Sequence, residues 1–153
     1  MEWAQIAPVL KAEGSLCDIY IFDTSLDDWA SIWSVLLADS NHLYFTVDGE
    51  PTTPPLDVAE AFQLGRNHSV CGSYAVGKQW LNCHFFLEEE VEFDLDPRDV
   101  DGPAEADRLA EFITMLGRAT SKEVRLTPEN GPDEIIARYD PTTGQFVWMP
   151  ARA

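Results

Sequence analysis

Glu88-Glu89-Glu90-Val91-Glu92-Phe93-Asp94-Leu95-Asp96 decides the reading of this chain, because carboxylates and large apolar residues alternate in it from position 90 onward. A strict period of two is what a half-buried β-strand requires, so Val91, Phe93 and Leu95 are expected to face a core. Glu90, Glu92, Asp94 and Asp96 then form one row. Same-face residues on a strand lie about 6.6 Å apart, so these carboxylates repel one another, and their placement costs stability unless something cationic meets them. The row reads as a binding surface.

The preceding run, Gln79 to Leu87, is the expected hairpin partner, and its register can be tested because a slip of one residue flips every side chain to the other face. If Glu88 and Glu89 alone formed the turn, Leu87 would pair with Glu90, Phe85 with Glu92 and Cys83 with Asp94, mixing acids into an apolar face. A three-residue loop, Glu88 to Glu90, pairs Leu87, Phe85 and Cys83 with Val91, Phe93 and Leu95. That is the expected register, although the loop lacks the Gly that usually takes its left-handed position. It moves Glu90 into the turn and sets Phe86 opposite Glu92, His84 opposite Asp94 and Asn82 opposite Asp96, with Trp80 beyond.

Outward from the hairpin, Val70 to Val76 and a turn at Gly77-Lys78 complete a meander. Upstream, residues 3 to 12 read as a short helix or an extended arm ended by Gly14 and Ser15, and Leu16 to Phe22 reads as the first strand. Ser25 with Asp28 resembles a capping box opening a helix with Leu26, Trp29, Ile32, Trp33, Leu36 and Leu37 on one stripe, so both Trp residues are expected in the core. His42 to Val47 is a strand ended by Asp48-Gly49, residues 50 to 55 a loop, and Leu56 to Leu64 a short helix stopped at Gly65. Downstream, Asp101 as N-cap and Pro103 in the first turn open a helix with Ala106, Leu109, Phe112, Ile113 and Leu116 on its stripe and Gly117 as its stop. Three strands follow, near Glu123 to Thr127, Glu134 to Tyr139 and Gln145 to Met149. The expected fold is α+β, a mostly antiparallel sheet of about six strands with two main helices packed on it, in a single globular domain spanning residues 1–153.

The chain has 153 residues, 45% of them hydrophobic, with five Trp, eight Phe and four Tyr, enough to bury a core despite its acidity. Its 27 acidic residues against ten Lys and Arg give a formal net charge of −17, which disfavours nucleic acid and anionic membranes as partners and favours a basic protein or a cation. Cys17, Cys71 and Cys83 lack CxxC spacing and read as buried thiols of a reducing compartment. The N-terminus has no basic region ahead of an apolar run, and no run approaches a membrane-spanning length, so the expected location is cytoplasmic.

No reaction centre emerges. Cys83 and His84 are neighbours on a strand and project to opposite faces. His84 with Asp94 could orient an imidazole, with Ser73 or Tyr74 as the only nearby nucleophile candidates. His42, His68 and His84 lack metal-ligand spacing, and Asp94 to Gly102 misses the calcium-loop pattern. No cofactor, metal or catalytic set is expected.

An acidic α+β domain with a Trp-rich helix and an acid-lined hairpin resembles, in overall character across most of the chain, the immunity proteins that neutralise bacterial polymorphic or contact-delivered toxins. The residues carrying the likeness are Tyr20-Ile21-Phe22-Asp23 running into the Trp29 helix, and residues 88 to 101. It implies a protein-binding inhibitor rather than an enzyme, with a cognate toxin as partner, often a basic nuclease or other nucleic-acid-modifying enzyme. The expected partner surface is Glu88, Glu89, Glu90, Glu92, Asp94, Asp96, Asp99 and Asp101, with His84 and Trp80 beside them. The alternatives are a nucleic-acid mimic directed at a DNA-binding complex, with carboxylates strung along an extended face, or a small-ligand binder or enzyme using His84.

Overall fold

The structure, a computed structural model, describes residues 2–11 and 15–149. In chain order the elements are α1 (Trp3–Lys11), β1 (Cys17–Phe22), α2 (Leu26–Ala38), β2 (Leu43–Val47), β3 (Glu50–Thr52), α3 (Val58–Leu64), β4 (Val70–Val76), β5 (Gln79–Leu87), β6 (Glu90–Leu95), α4 (Pro103–Thr120), β7 (Val124–Pro128), β8 (Ala137–Asp140) and β9 (Gln145–Trp148). Short 3-10 turns lie at Ser40–His42 and Pro97–Asp99. The strands form one sheet in the order β3-β2-β4-β5-β6-β1-β7-β8-β9, antiparallel at every pairing.

The α+β class and the antiparallel sheet are as expected, but among the described residues the sheet has nine strands instead of about six, and the helices number four instead of two. One added strand comes from Asp48 and Gly49, whose φ angles of 53° and 81° make a tight mirror-image turn. Glu50–Thr52 therefore folds back onto β2 where a loop is expected. Pro51 is tolerated because β3 is an edge strand with no further neighbour to receive an N–H. The three C-terminal strands join the same sheet because β7 pairs with β1. The N-terminal stretch is a helix, not an extended arm; Gly14, expected to end it, lies outside the described residues.

Sequence and structure agree on the principal helices and differ at their ends. Ser25 and Asp28 form the capping box of α2, and Trp29 and Trp33 are buried with their indole N–H groups bonded to Glu88 O at 3.1 Å and Pro55 O at 2.7 Å. Helix α4 has Gly102, not Asp101, as its N-cap and runs past Gly117 to Thr120. Gly117 serves packing: a Cβ there would lie 2.1 Å from Cδ1 of Tyr139 on β8. The core joins the stripes of α2 and α4 to alternate strand residues, including Ile19, Ile21, Leu81, Cys83, Val91, Phe93, Leu95, Val124 and Leu126. Residues of the opposite parity therefore point to the other face of the sheet.

Candidate binding face

At the acidic hairpin the turn holds only Glu88 and Glu89, with Leu87 paired to Glu90. Below it the pairing shifts to His84 with Glu92, Cys83 with Phe93 and Asn82 with Asp94, so Phe85 and Phe86 together oppose Val91 in a bulge. The three-residue loop is thus overturned, and Glu90 belongs to the strand row. Neither Glu88 nor Glu89 has positive φ, consistent with the missing Gly, so the mirror-image turns that suit hairpin twist are closed to them. The bulge accommodates the extra residue instead. Below the bulge the slip from the expected register is two residues, so His84, Cys83 and Asn82 keep their expected faces and only their cross-strand partners change. At the tip the slip is one, and Leu87, expected opposite Val91 on the apolar face, lies opposite Glu90 and is exposed.

On its other side β6 pairs with β1, which the sequence reading does not place: Glu90 faces Phe22, Glu92 faces Tyr20, and Asp94 faces Asp18. Two carboxylates directly opposite repel, and each is compensated separately. Asp18 accepts hydrogen bonds from the Tyr20 hydroxyl and the Asn130 amide, both at 3.0 Å. Asp94 accepts one from Asn82 at 2.9 Å and meets His84 Nε2 at 2.5 Å, a diagonal contact that preserves the expected partnership of His84 and Asp94. Burial raises the Asp94 carboxyl, but its hydrogen bonds to His84 and Asn82 outweigh that and hold it below its ordinary value. The same contact holds the His84 imidazole above its usual value against burial. Burial and the bond to Asp18 push the Tyr20 phenol far up.

Glu92 is different. Burial, then the charges of Asp18 and Glu90, push its carboxyl up, with His84 and the Tyr20 hydroxyl pulling back. Among the described residues neither Glu90 nor Glu92 makes an ion pair, and the same holds for Glu88 and Glu89. The rest of the expected surface divides by position along the hairpin. Asp96 caps the Pro97–Asp99 turn and receives the Arg98 guanidinium at 2.7 Å, and Asp101 pairs with Lys78 at 2.9 Å. Asp99 sits half-buried at that same end. Trp80, 44% exposed, meets Tyr44 edge to face at 5.2 Å. The structure therefore groups Glu90, Glu92, Asp94 and His84, sets Glu88 and Glu89 at one end of them, and puts neutralised acids at the other.

Several residues of this face escape the sequence reading. Asp18 and Tyr20 were legible as strand residues of one parity but not as neighbours of β6. Cys71 is the direct cross-strand partner of His84, which sets thiol, imidazole and carboxylate in a row. Burial raises that thiol, with Ser73 pulling back, whereas a nucleophilic cysteine requires a depressed value. Among the described residues no group of three His, Cys, Asp or Glu is placed to hold a metal ion. Among the described residues no helix is long and apolar enough to cross a membrane. No protein-family model matches the sequence, and neither the curated proteins nor the solved structures give a match to it.

Proposed function

We propose that this chain is a protein-binding inhibitor that takes a basic protein partner on the β5–β6–β1 part of its open sheet face, the part an immunity protein plays against its toxin. The observation that carries the reading is the pair Glu90 and Glu92: two carboxylates on one strand, without ion pairs among the described residues, on a face opposite the helices, beside acids whose charges are already met. A like-charged row of this kind is unfavourable in isolation and becomes favourable when a partner supplies cations, which also steer the encounter. The acids at the far end, paired with Arg98 and Lys78, favour a compact partner contact over the extended carboxylate line of a nucleic-acid mimic.

The test is to recover partners from the native host by affinity capture with mass spectrometry, and then to measure association of the recovered protein with wild type and with the double variant Glu90→Lys/Glu92→Lys. A basic partner, association that slows with added salt, and a rate reduced at least tenfold in the variant are expected. An unchanged rate in a variant that folds normally puts the partner surface elsewhere.

A further inference from the structure

Beside the hairpin tip lies a shallow groove of about 420 Å³ between α3 and the end of β5, with Phe62 and Arg66 on one wall and Phe86, Leu87, Glu88 and Glu89 on the other. Phe86 and Leu87 are 66% and 53% exposed, a large apolar contribution for the end of a hairpin. One face of the Phe86 ring is covered by the His84 imidazole, parallel within 1° at 5.1 Å. The groove lies toward the tip of the hairpin, away from His84 along the strand, with Phe86 among its lining residues.

Hairpin tips are ordinarily mobile, but this one is fixed from beneath. The Glu88 carbonyl accepts from the Thr24 hydroxyl at 2.7 Å and from the buried Trp29 indole at 3.1 Å, and the Glu89 carbonyl accepts from the Thr24 amide at 3.0 Å. The backbone is thereby anchored to the start of α2 while both carboxylates point outward. A partner binding there meets a preordered site, so little of the interaction is lost to ordering.

We propose that this groove is the seat for an arginine side chain of the basic partner, its stem lying on Leu87 and its guanidinium between the exposed Phe86 ring and the carboxylates of Glu88 and Glu89. This rests on the reading of the open face as the site for a basic protein. Arginine fits better than lysine because its planar, weakly hydrated head can stack on an aromatic ring and pair with a carboxylate at once. The chain already makes one such contact, with the Arg125 guanidinium 5.4 Å from the Phe22 ring centroid. Arg66 is the one base on the groove wall, makes no ion pair among the described residues, and opposes a cation there, so its removal gives the proposal a sign.

The experiment titrates the full chain, labelled for NMR, with two peptides, acetyl-(Gly-Arg)4-amide and its lysine counterpart. Expected are amide shifts at Gly65, Arg66 and Phe86–Glu89, and binding of the arginine peptide about threefold tighter, the size of one exposed cation–π contact. The preference should vanish in Phe86→Ala, while Arg66→Glu should tighten both peptides. Equal binding, shifts confined to other surfaces, weaker binding in Arg66→Glu, or no binding at millimolar peptide overturns the seat. If Glu90→Lys/Glu92→Lys still slows the recovered partner, the broader reading survives that failure; if it does not, the broader reading falls on its own evidence.

Discussion

The two halves of the open sheet face handle charge in opposite ways. On the β7–β8 side Glu123 receives both Arg125 and Arg138, the latter at 2.7 Å, and Asp140 lies 3.7 Å from Arg138. Segment 129–135 reaches over the neighbouring strand, with the Asn130 amide on Asp18 and the Pro132 carbonyl on Arg125 at 3.1 Å. On the β5–β6 side the acids from Glu88 to Glu92 have no such cations among the described residues, and Phe86 and Leu87 stand exposed beside them. Arg125 and Arg138, directly opposite across β7 and β8, would repel as the acids do, yet a shared carboxylate has been placed between them. One half is finished as a folded surface. The other retains a cost in stability that a binding partner would relieve, the pattern expected where function and stability compete.

If the β7–β8 half is the rigid scaffold, the largest loss of stability should come from the position that brings β8 against α4. Gly117→Ala gains about 1 kcal/mol of helix propensity but drives its Cβ into the buried Tyr139 ring, and such overpacking costs about 3 kcal/mol. The clash wins, and urea denaturation should show a net loss of about 2 kcal/mol. A variant as stable as wild type would mean that β8 moves freely and is no scaffold. Next in size is Glu123→Gln, which leaves Arg125 and Arg138 opposed with a neutral amide between them. A loss of about 1.5 kcal/mol is expected by the same measurement, the range of a hydrogen bond to a charged group.

Within the β5–β6 half, the pair His84 and Asp94 is the part whose charge is already met, and it should respond to pH. The folded value of His84 lies above its ordinary 6.5, so its contribution is complete below pH 6.5 and is lost as pH rises through the raised value. The folded value of Asp94 lies below 3.8, so its contribution is present above pH 3.8 and is lost as pH falls through the lowered value. The pair therefore stabilises most between those limits. Asp94→Asn should cost about 1 kcal/mol at pH 5.5 and less at pH 8, and NMR titration should show the His84 value falling back toward 6.5. An unchanged His84 titration would mean that the Asp94 contact is not what holds it.

Much of this was legible in the sequence, for identifiable reasons. The alternation in residues 90 to 96 and the stripes on α2 and α4 follow from local periodicity, which survives folding. The faces of His84 and Asn82 were legible as well, because parity is insensitive to a slip of two, whereas that of Leu87 was not, because the bulge shifts it by one. The bulge was not, since it answers the backbone limits of Glu88 and Glu89 against the packing of Phe85, which no single pattern displays. Nor was the neighbour of β6: Asp18, Tyr20 and Phe22 show the same period of two, but the sequence does not say that a strand some seventy residues upstream lies beside them. The unpaired state of Glu90 and Glu92 follows from that pairing, so the most informative property of the face depended on tertiary structure.

Glu92→Gln gives the smallest expected effect and the most direct test of the contrast. Burial, Asp18 and Glu90 hold the Glu92 carboxyl above its ordinary 4.5; its contribution is therefore complete below pH 4.5 and is lost as pH rises through the raised value, so at pH 7 the ionised side chain works against the fold. The amide keeps the shape and removes the charge, so a gain of about 0.5 kcal/mol at pH 7 is expected, of the size seen for cross-strand charge pairs. The gain should disappear near pH 4, where Glu92 is protonated in the folded chain. Association with a basic partner should meanwhile become slower, since one steering charge has been removed. Removing a carboxylate from β6 then strengthens the isolated chain, while removing Glu123 at the head of β7 weakens it. Equal destabilisation by the two would mean that Glu92 has a cation in solution after all, and the distinction between a finished and an unfinished half would fail.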